Sequence, residues 1–140
     1  MATKILIVDD EPSIVMLLKA RLEDSRYEVI TGHDGQEALD KARQEKPDLI
    51  ILDIMLPKID GYKVASILKS DENTRDIPIV MLTARTLAQD IKAGMESGAV
   101  SYMQKPFKSE VLLAIVRGLI NRKKMKEKKE EKEEPEEMEE

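Results

Sequence analysis

The sequence predicts an α/β protein built on a doubly wound, five-stranded parallel sheet with helices on both faces. Two observations carry this. Short runs rich in branched apolar residues recur five times, at 4–8 (KILIV), 28–31 (EVIT), 48–52 (DLIIL), 78–82 (PIVML) and 100–103 (VSYM). Every gap between them, and the stretch after the last, holds apolar residues at helical spacing. Strict alternation of strand and helix implies crossover connections, which set parallel strands side by side and cover both sheet faces.

Taken in order, KILIV is a strand suited to burial, and Pro12 after it fits the first turn of a helix with Ile14, Leu17, Leu18 and Leu22 on one face. EVIT is followed by a helix facing inward through Ala38, Leu39 and Ala42. DLIIL leads to a third helix with Val64, Ile67 and Leu68, and PIVML to a fourth with Ala88, Ile91 and Met95, which Gly98 is placed to end in the left-handed conformation. After VSYM the last helix presents Leu112, Ile115, Val116 and Leu119. Residues 1–120 form the domain. Residues 121–140 change composition, basic first (RKKMKEKK) and acidic afterwards (EEKEEPEEMEE), and are expected to form a solvated helical extension that frays before Pro135. A partner-binding arm is the sharper reading of that tail.

A chain of 140 residues suits one domain with a real core. Cysteine is absent, which removes disulfides, thiolate nucleophiles and Cys-based metal centres and suits a reducing compartment. The single histidine, His33, lies in the turn-like TGHDG and is assigned no function. The amino terminus lacks the apolar core of a signal peptide and no apolar run approaches ~20 residues, so a cytoplasmic protein without membrane insertion is expected. A net charge of -5 and 3% aromatics leave neither a basic phosphate-binding stripe nor a stacking platform, so direct nucleic-acid binding is not expected.

In such sheets, ligands collect beyond the carboxyl ends of the strands. Asp9 and Asp10 follow the first strand, Asp53 the third, Thr83 the fourth and Lys105 the fifth, so three carboxylates, a hydroxyl and an ammonium meet in one crevice. The second strand ends in Thr31, Gly32 and His33, as befits an edge away from the site. Carboxylates about 5 Å apart repel by roughly 3 kcal/mol at an effective dielectric near 20, and a hard cation such as Mg²⁺ turns that repulsion into attraction. A carboxylate beside Mg²⁺ can attack phosphorus to form an acyl phosphate, with Lys105 and Thr83 stabilising the phosphoryl oxygens. The chemistry read from the residues is phosphoryl transfer to aspartate.

Four motifs in order, IVDDEP, LIILDIMLPKIDG, MLTAR and YMQKPF, resemble the receiver domains of bacterial two-component response regulators over about residues 3–120. The spacing agrees as well, with 43, 30 and 22 residues separating Asp10, Asp53, Thr83 and Lys105. The resemblance implies the flavodoxin-like strand order 2-1-3-4-5. It also implies that Asp53 is phosphorylated, that Asp10 binds Mg²⁺ directly with Asp9 acting chiefly through metal-bound water, and that the Met55 carbonyl is a further ligand. Thr83 would contact the phosphoryl group, Lys105 would pair with it, and Tyr102 would be the aromatic whose rotamer follows phosphorylation. Signalling would then pass through the face made by the fourth helix, the fifth strand and the last helix. Met55 and Arg85 depart from the best-studied chemotaxis pattern and are expected to set the lifetime of the phosphoryl group. Gly61 and Pro57 read as turn residues.

The implied partners are a sensor histidine kinase or phosphotransfer protein and a downstream protein, with phosphorylation-dependent homodimerisation as a further option. Met1 and the charged ending favour a stand-alone switch over a receiver excised from a larger regulator or enzyme. Two readings compete from outside the family. A Mg²⁺-dependent phosphohydrolase using an aspartyl-phosphate commonly needs a second acid two residues after the nucleophile, where this chain has Met55; a flavodoxin-like cofactor binder needs a phosphate-cradling loop where IVDDEP is anionic.

Overall fold

The computed structural model describes residues 2–83, 98–99 and 101–138, with side chains for these except Thr83 and residues 131–138. Five strands, β1 (Lys4–Val8), β2 (Glu28–Gly32), β3 (Leu49–Asp53), β4 (Ile79–Thr83) and β5 (Ser101–Gln104), form one parallel sheet in the order β2-β1-β3-β4-β5. Four described helices complete it: α1 (Pro12–Asp24), α2 (Gly35–Glu45), α3 (Gly61–Ser70) and α4 (Ser109–Met138). The predicted fourth helix, with Ala88, Ile91 and Met95, and Arg85 before it, lies outside the described residues.

Period-two alternation along the strands divides the core into two layers. Leu6, Val8, Ile50, Leu52, Ile79 and Met81 pack with Ala38, Leu39 and Ala42 of α2 and Val64, Ala65 and Leu68 of α3. Ile5, Ile7, Leu49, Ile51, Val80 and Leu82 face the other way, onto Leu18 and Leu22 of α1 and Leu112, Val116 and Ile120 of α4. With both faces covered, all five residues of β3 are buried, which is why that strand reads as an unbroken apolar run ending in a charge.

Helix starts follow from local chemistry. Asp34 accepts the Glu37 N–H and Asp60 the Lys63 N–H, so aspartates cap α2 and α3. Pro12 opens α1 as expected, but its inward face differs from the expectation at one position. Leu17 is exposed and Val15 is buried beside Leu18 and Leu22. At 100° per residue Leu17 falls outside the arc that Val15, Leu18 and Leu22 share. Gly98 has φ +92, the left-handed conformation foreseen for it.

The extension departs from the expectation of fraying before Pro135, since α4 continues through the proline to Met138. A proline here removes one N–H, and a solvated helix lets water satisfy the carbonyl one turn back. Its base is tied down too. Lys123 donates to Asp48 Oδ1 at 3.2 Å, and Asp48 Oδ2 accepts the Lys4 N–H at 2.8 Å.

Candidate functional site

Strand register assembles the site before any side chain is considered. Val8 pairs with Leu52, so Asp9 and Asp53 emerge side by side at the carboxyl ends of β1 and β3. Asp53 pairs with Leu82 and Thr83 with Gln104, which brings Thr83 and Lys105 to the same end of the sheet. The backbone of Thr83 is thus where the sequence reading puts it, and its hydroxyl lies outside the described side chains.

Asp9, Asp10 and Asp53 each offer an oxygen, and the three lie within 4.8 Å of one another. Asp9 and Asp53 are buried and Asp10 is exposed, so the cluster opens to solvent on one side. The Asp9 and Asp10 carboxylates do not cap α1. Its N-cap is Glu11, which makes no side-chain cap, and Asp9 Oδ1 instead accepts the Glu11 N–H at 2.9 Å. Lys105 reaches in from the end of β5, 2.8 Å from Asp9 Oδ2, 3.5 Å from Asp53 Oδ2 and 3.4 Å from Glu11 Oε1.

The charges are unequal and show it. Burial, then the Asp9 charge, pushes the Asp53 pKa up to about 6 against the pull of Lys105 and the Met55 N–H. For Lys105, burial opposes the ammonium, yet the Asp9 hydrogen bond and the charges of Asp53, Asp9 and Glu11 outweigh it and raise the pKa. Among the described residues, one lysine does not offset the four carboxylates of Asp9, Asp10, Glu11 and Asp53. An all-oxygen donor set, clustered, with two members buried and one facing solvent, fits a hard cation such as Mg²⁺ that keeps several waters.

The loop after β3 shapes the rest. The Met55 N–H donates to Asp53 Oδ1 at 3.2 Å while its side chain is exposed beside a shallow depression shared with Asp10, Pro57 and Asp60. Gly61 does more than turn chemistry. Its N–H donates to the Ile54 carbonyl, and a Cβ there would stand 2.4 Å from the Asp53 carbonyl oxygen, so only glycine lets α3 start against the site strand. Tyr102 packs on the α2–α3 side of the core, and among the described residues its buried hydroxyl meets no hydrogen-bond partner. His33 is exposed, as expected for a loop residue.

Two contacts at the site escaped the sequence reading. The Glu11–Lys105 pair spans 94 residues, and its only local signal is a third acid in the DDE run. The close approach at Gly61 is signalled only by an Asp-Gly before an apolar helix face.

A five-stranded 2-1-3-4-5 sheet with this acid cluster and lysine at its carboxyl edge defines a receiver-type signalling switch. The chain belongs to the response regulator receiver domain family, which it matches over residues 5–117. It is 51% identical over 122 residues to the alkaline phosphatase synthesis transcriptional regulatory protein PhoP of Bacillus subtilis, covering 87% of this chain and 50% of that protein. The chain thus spans about half the length of the curated relatives it matches. Among solved structures it is similar to the chemotaxis response regulator CheY4 of Vibrio cholerae, with TM-score 0.80, 34% identity and coverage of 85% of this chain and 99% of that one. It is equally similar to the receiver domain of the sensor histidine kinase PA1611 from Pseudomonas aeruginosa PAO1, described with a magnesium ion in the active-site cleft, with TM-score 0.80, 33% identity and coverage of 86% and 99%.

Proposed function

We propose that this receiver accepts a phosphoryl group onto Asp53 from a histidine kinase or phosphotransfer protein, with Mg²⁺ as cofactor, and signals by a conformational change. The observation that carries the reading is Asp53 itself, a buried carboxylate held between Asp9 and Lys105 with its pKa raised to about 6. At neutral pH it is still largely ionised and able to attack. A bond forms from the Asp53 oxygen to phosphorus as the bond from phosphorus to the donor breaks, and the leaving imidazole takes up a proton. Mg²⁺, when held by Asp9, Asp10, Asp53 and the Met55 carbonyl, supplies the positive charge that relieves carboxylate repulsion and gathers the phosphoryl oxygens. Lys105 is the second cation, and Thr83 is assigned the hydroxyl contact. The chain thereby promotes its own phosphorylation and dephosphorylation.

Transmission is assigned to Thr83 and Tyr102 and to the surface around β5, α4 and the segment between β4 and β5. The Tyr102 hydroxyl supports this, because among the described residues no hydrogen bond holds it in place. Met55 and Arg85 are assigned control of phosphoryl lifetime. Residues 1–120 form the switch and 121–140 an extension to it, in a cytoplasmic setting, acting on a downstream protein or through a phosphorylation-dependent homodimer without touching nucleic acid itself. The half-length match to transcriptional regulators supports a second reading of the context, a receiver carried within a larger regulator or enzyme.

Intact-mass measurement after incubation with acetyl phosphate tests the core of this. One phosphoryl group should be added with Mg²⁺, and none to Asp53→Asn or without a divalent ion. Undiminished labelling of that variant would sink the assignment.

A further inference from the structure

We propose that Glu11 is a positioning residue for phosphoryl transfer, an internal anion that holds Lys105 in the resting protein and lets it go when a phosphoryl group arrives. The inference rests on the reading of Asp53 as acceptor.

An ammonium has three N–H donors. In the resting protein three carboxylate oxygens surround Lys105 Nζ, from Asp9 at 2.8 Å, Glu11 at 3.4 Å and Asp53 at 3.5 Å. Phosphorylation exchanges the Asp53 carboxylate for a phosphoryl group of about two negative charges, whose oxygens claim more of the ammonium than Asp53 Oδ2 does at 3.5 Å, so another resident partner loses its share. Asp9 is fully buried, makes the shortest contact, and would be left as an uncompensated charge. Asp53 itself carries the incoming group as an acyl phosphate. Glu11 is different, because its side chain is 57% exposed and passes into water on release.

Its backbone is held while its side chain is not. The Glu11 N–H is bonded to Asp9 and its carbonyl accepts the Ile14 and Val15 N–H groups at the start of α1. The shorter aspartates at that position of α2 and α3, Asp34 and Asp60, use their side chains on their helices. Glu11 makes no such cap and reaches Lys105 instead. Every phosphoryl group accepted therefore competes with this glutamate for the lysine, which weakens capture and protects the resting state.

Beryllofluoride serves as the phosphoryl probe. At saturating Mg²⁺, Glu11→Gln should bind it about two- to five-fold more tightly than wild type, the range for loss of one exposed ion-pair competitor. Asp60→Asn is the charge control. It removes another carboxylate beside the site yet keeps the α3 cap, since asparagine caps as well as aspartate, and its affinity should stay within twofold of wild type. In the resting protein the ¹⁵N resonance of the Lys105 amine should move in Glu11→Gln and stay put in Asp60→Asn. No gain in Glu11→Gln, an equal gain in Asp60→Asn, or an unmoved Lys105 signal each overturns the inference while leaving Asp53 as acceptor. Absence of any Mg²⁺-dependent beryllofluoride binding by wild type defeats the acceptor reading, and this one with it.

Discussion

Replacing Asp53 by asparagine should stabilise the protein in the absence of divalent ions. The Asp53 pKa is raised from 3.8 to about 6 in the folded state, first by burial and then by the Asp9 charge. At 1.36 kcal/mol per unit this is on the order of 3 kcal/mol by which the ionised form burdens the fold relative to the neutral one. For a carboxylate with a raised folded pKa, the native state binds the extra proton between pH 3.8 and about 6. This group therefore makes stability fall as pH rises through that window, and its full penalty is present above it. Asparagine mimics the neutral form at every pH. Urea unfolding followed by circular dichroism should find Asp53→Asn more stable than wild type at pH 7.5, by an amount approaching that figure, with the gap closing towards pH 4. Mg²⁺ should narrow the gap from the other side, since an ion at a hundred times its Kd adds about 2.7 kcal/mol to a protein that binds it only when folded. An asparagine variant equal to or weaker than wild type at pH 7.5 without Mg²⁺ would refute the electrostatic account of the cluster.

Three further outcomes are expected. Gly61→Ala puts a methyl 2.4 Å from the Asp53 carbonyl oxygen and should lower stability by about 1–3 kcal/mol and slow Mg²⁺-dependent phosphorylation, both readable by urea midpoint and intact mass. Tyr102→Phe removes a buried hydroxyl that has no partner among the described residues, and should leave stability unchanged or raise it by up to about 1 kcal/mol. The Asp53 phosphate should decay faster in Met55→Asn, which replaces an exposed apolar side chain by one able to orient water, and in Arg85→Glu. Unchanged decay in both would remove these residues from control of lifetime.

The parts of the molecule legible in the sequence are those written in periodicity and at strand ends. Alternation of five apolar runs with helical faces is enough for a doubly wound sheet, and parallel register then carries Asp9, Asp53, Thr83 and Lys105 to one edge automatically. Side-chain facing was legible where periodicity is unambiguous, as at Ala38, Leu39 and Ala42, and failed at Leu17 because two adjacent leucines cannot both face inward when Val15 competes for the same arc. Contacts that depend on distance through space left no trace. Asp48 and Lys123 are 75 residues apart and each reads alone as an ordinary surface charge. Gly61 reads as a turn because sequence shows the backbone freedom of glycine and not the carbonyl oxygen that occupies the space a side chain would need.

The length of α4 makes it a lever. Its first half is seated by Leu112, Val116 and Ile120 against the sheet and by Lys123 on Asp48, while the residues beyond carry the helix on to Met138. Fifteen residues of helix reach about 22 Å, so tilting the seated half by about 10° sweeps the tip through roughly 4 Å. The direction in which the tip faces is set by length, because each added or deleted residue turns the far end by about 100°. A rearrangement near β5 too small to notice at the fulcrum would thus be read at the tip as a displacement the width of a side chain, and inserting one or two residues after Lys123 would re-aim that displacement without touching the switch.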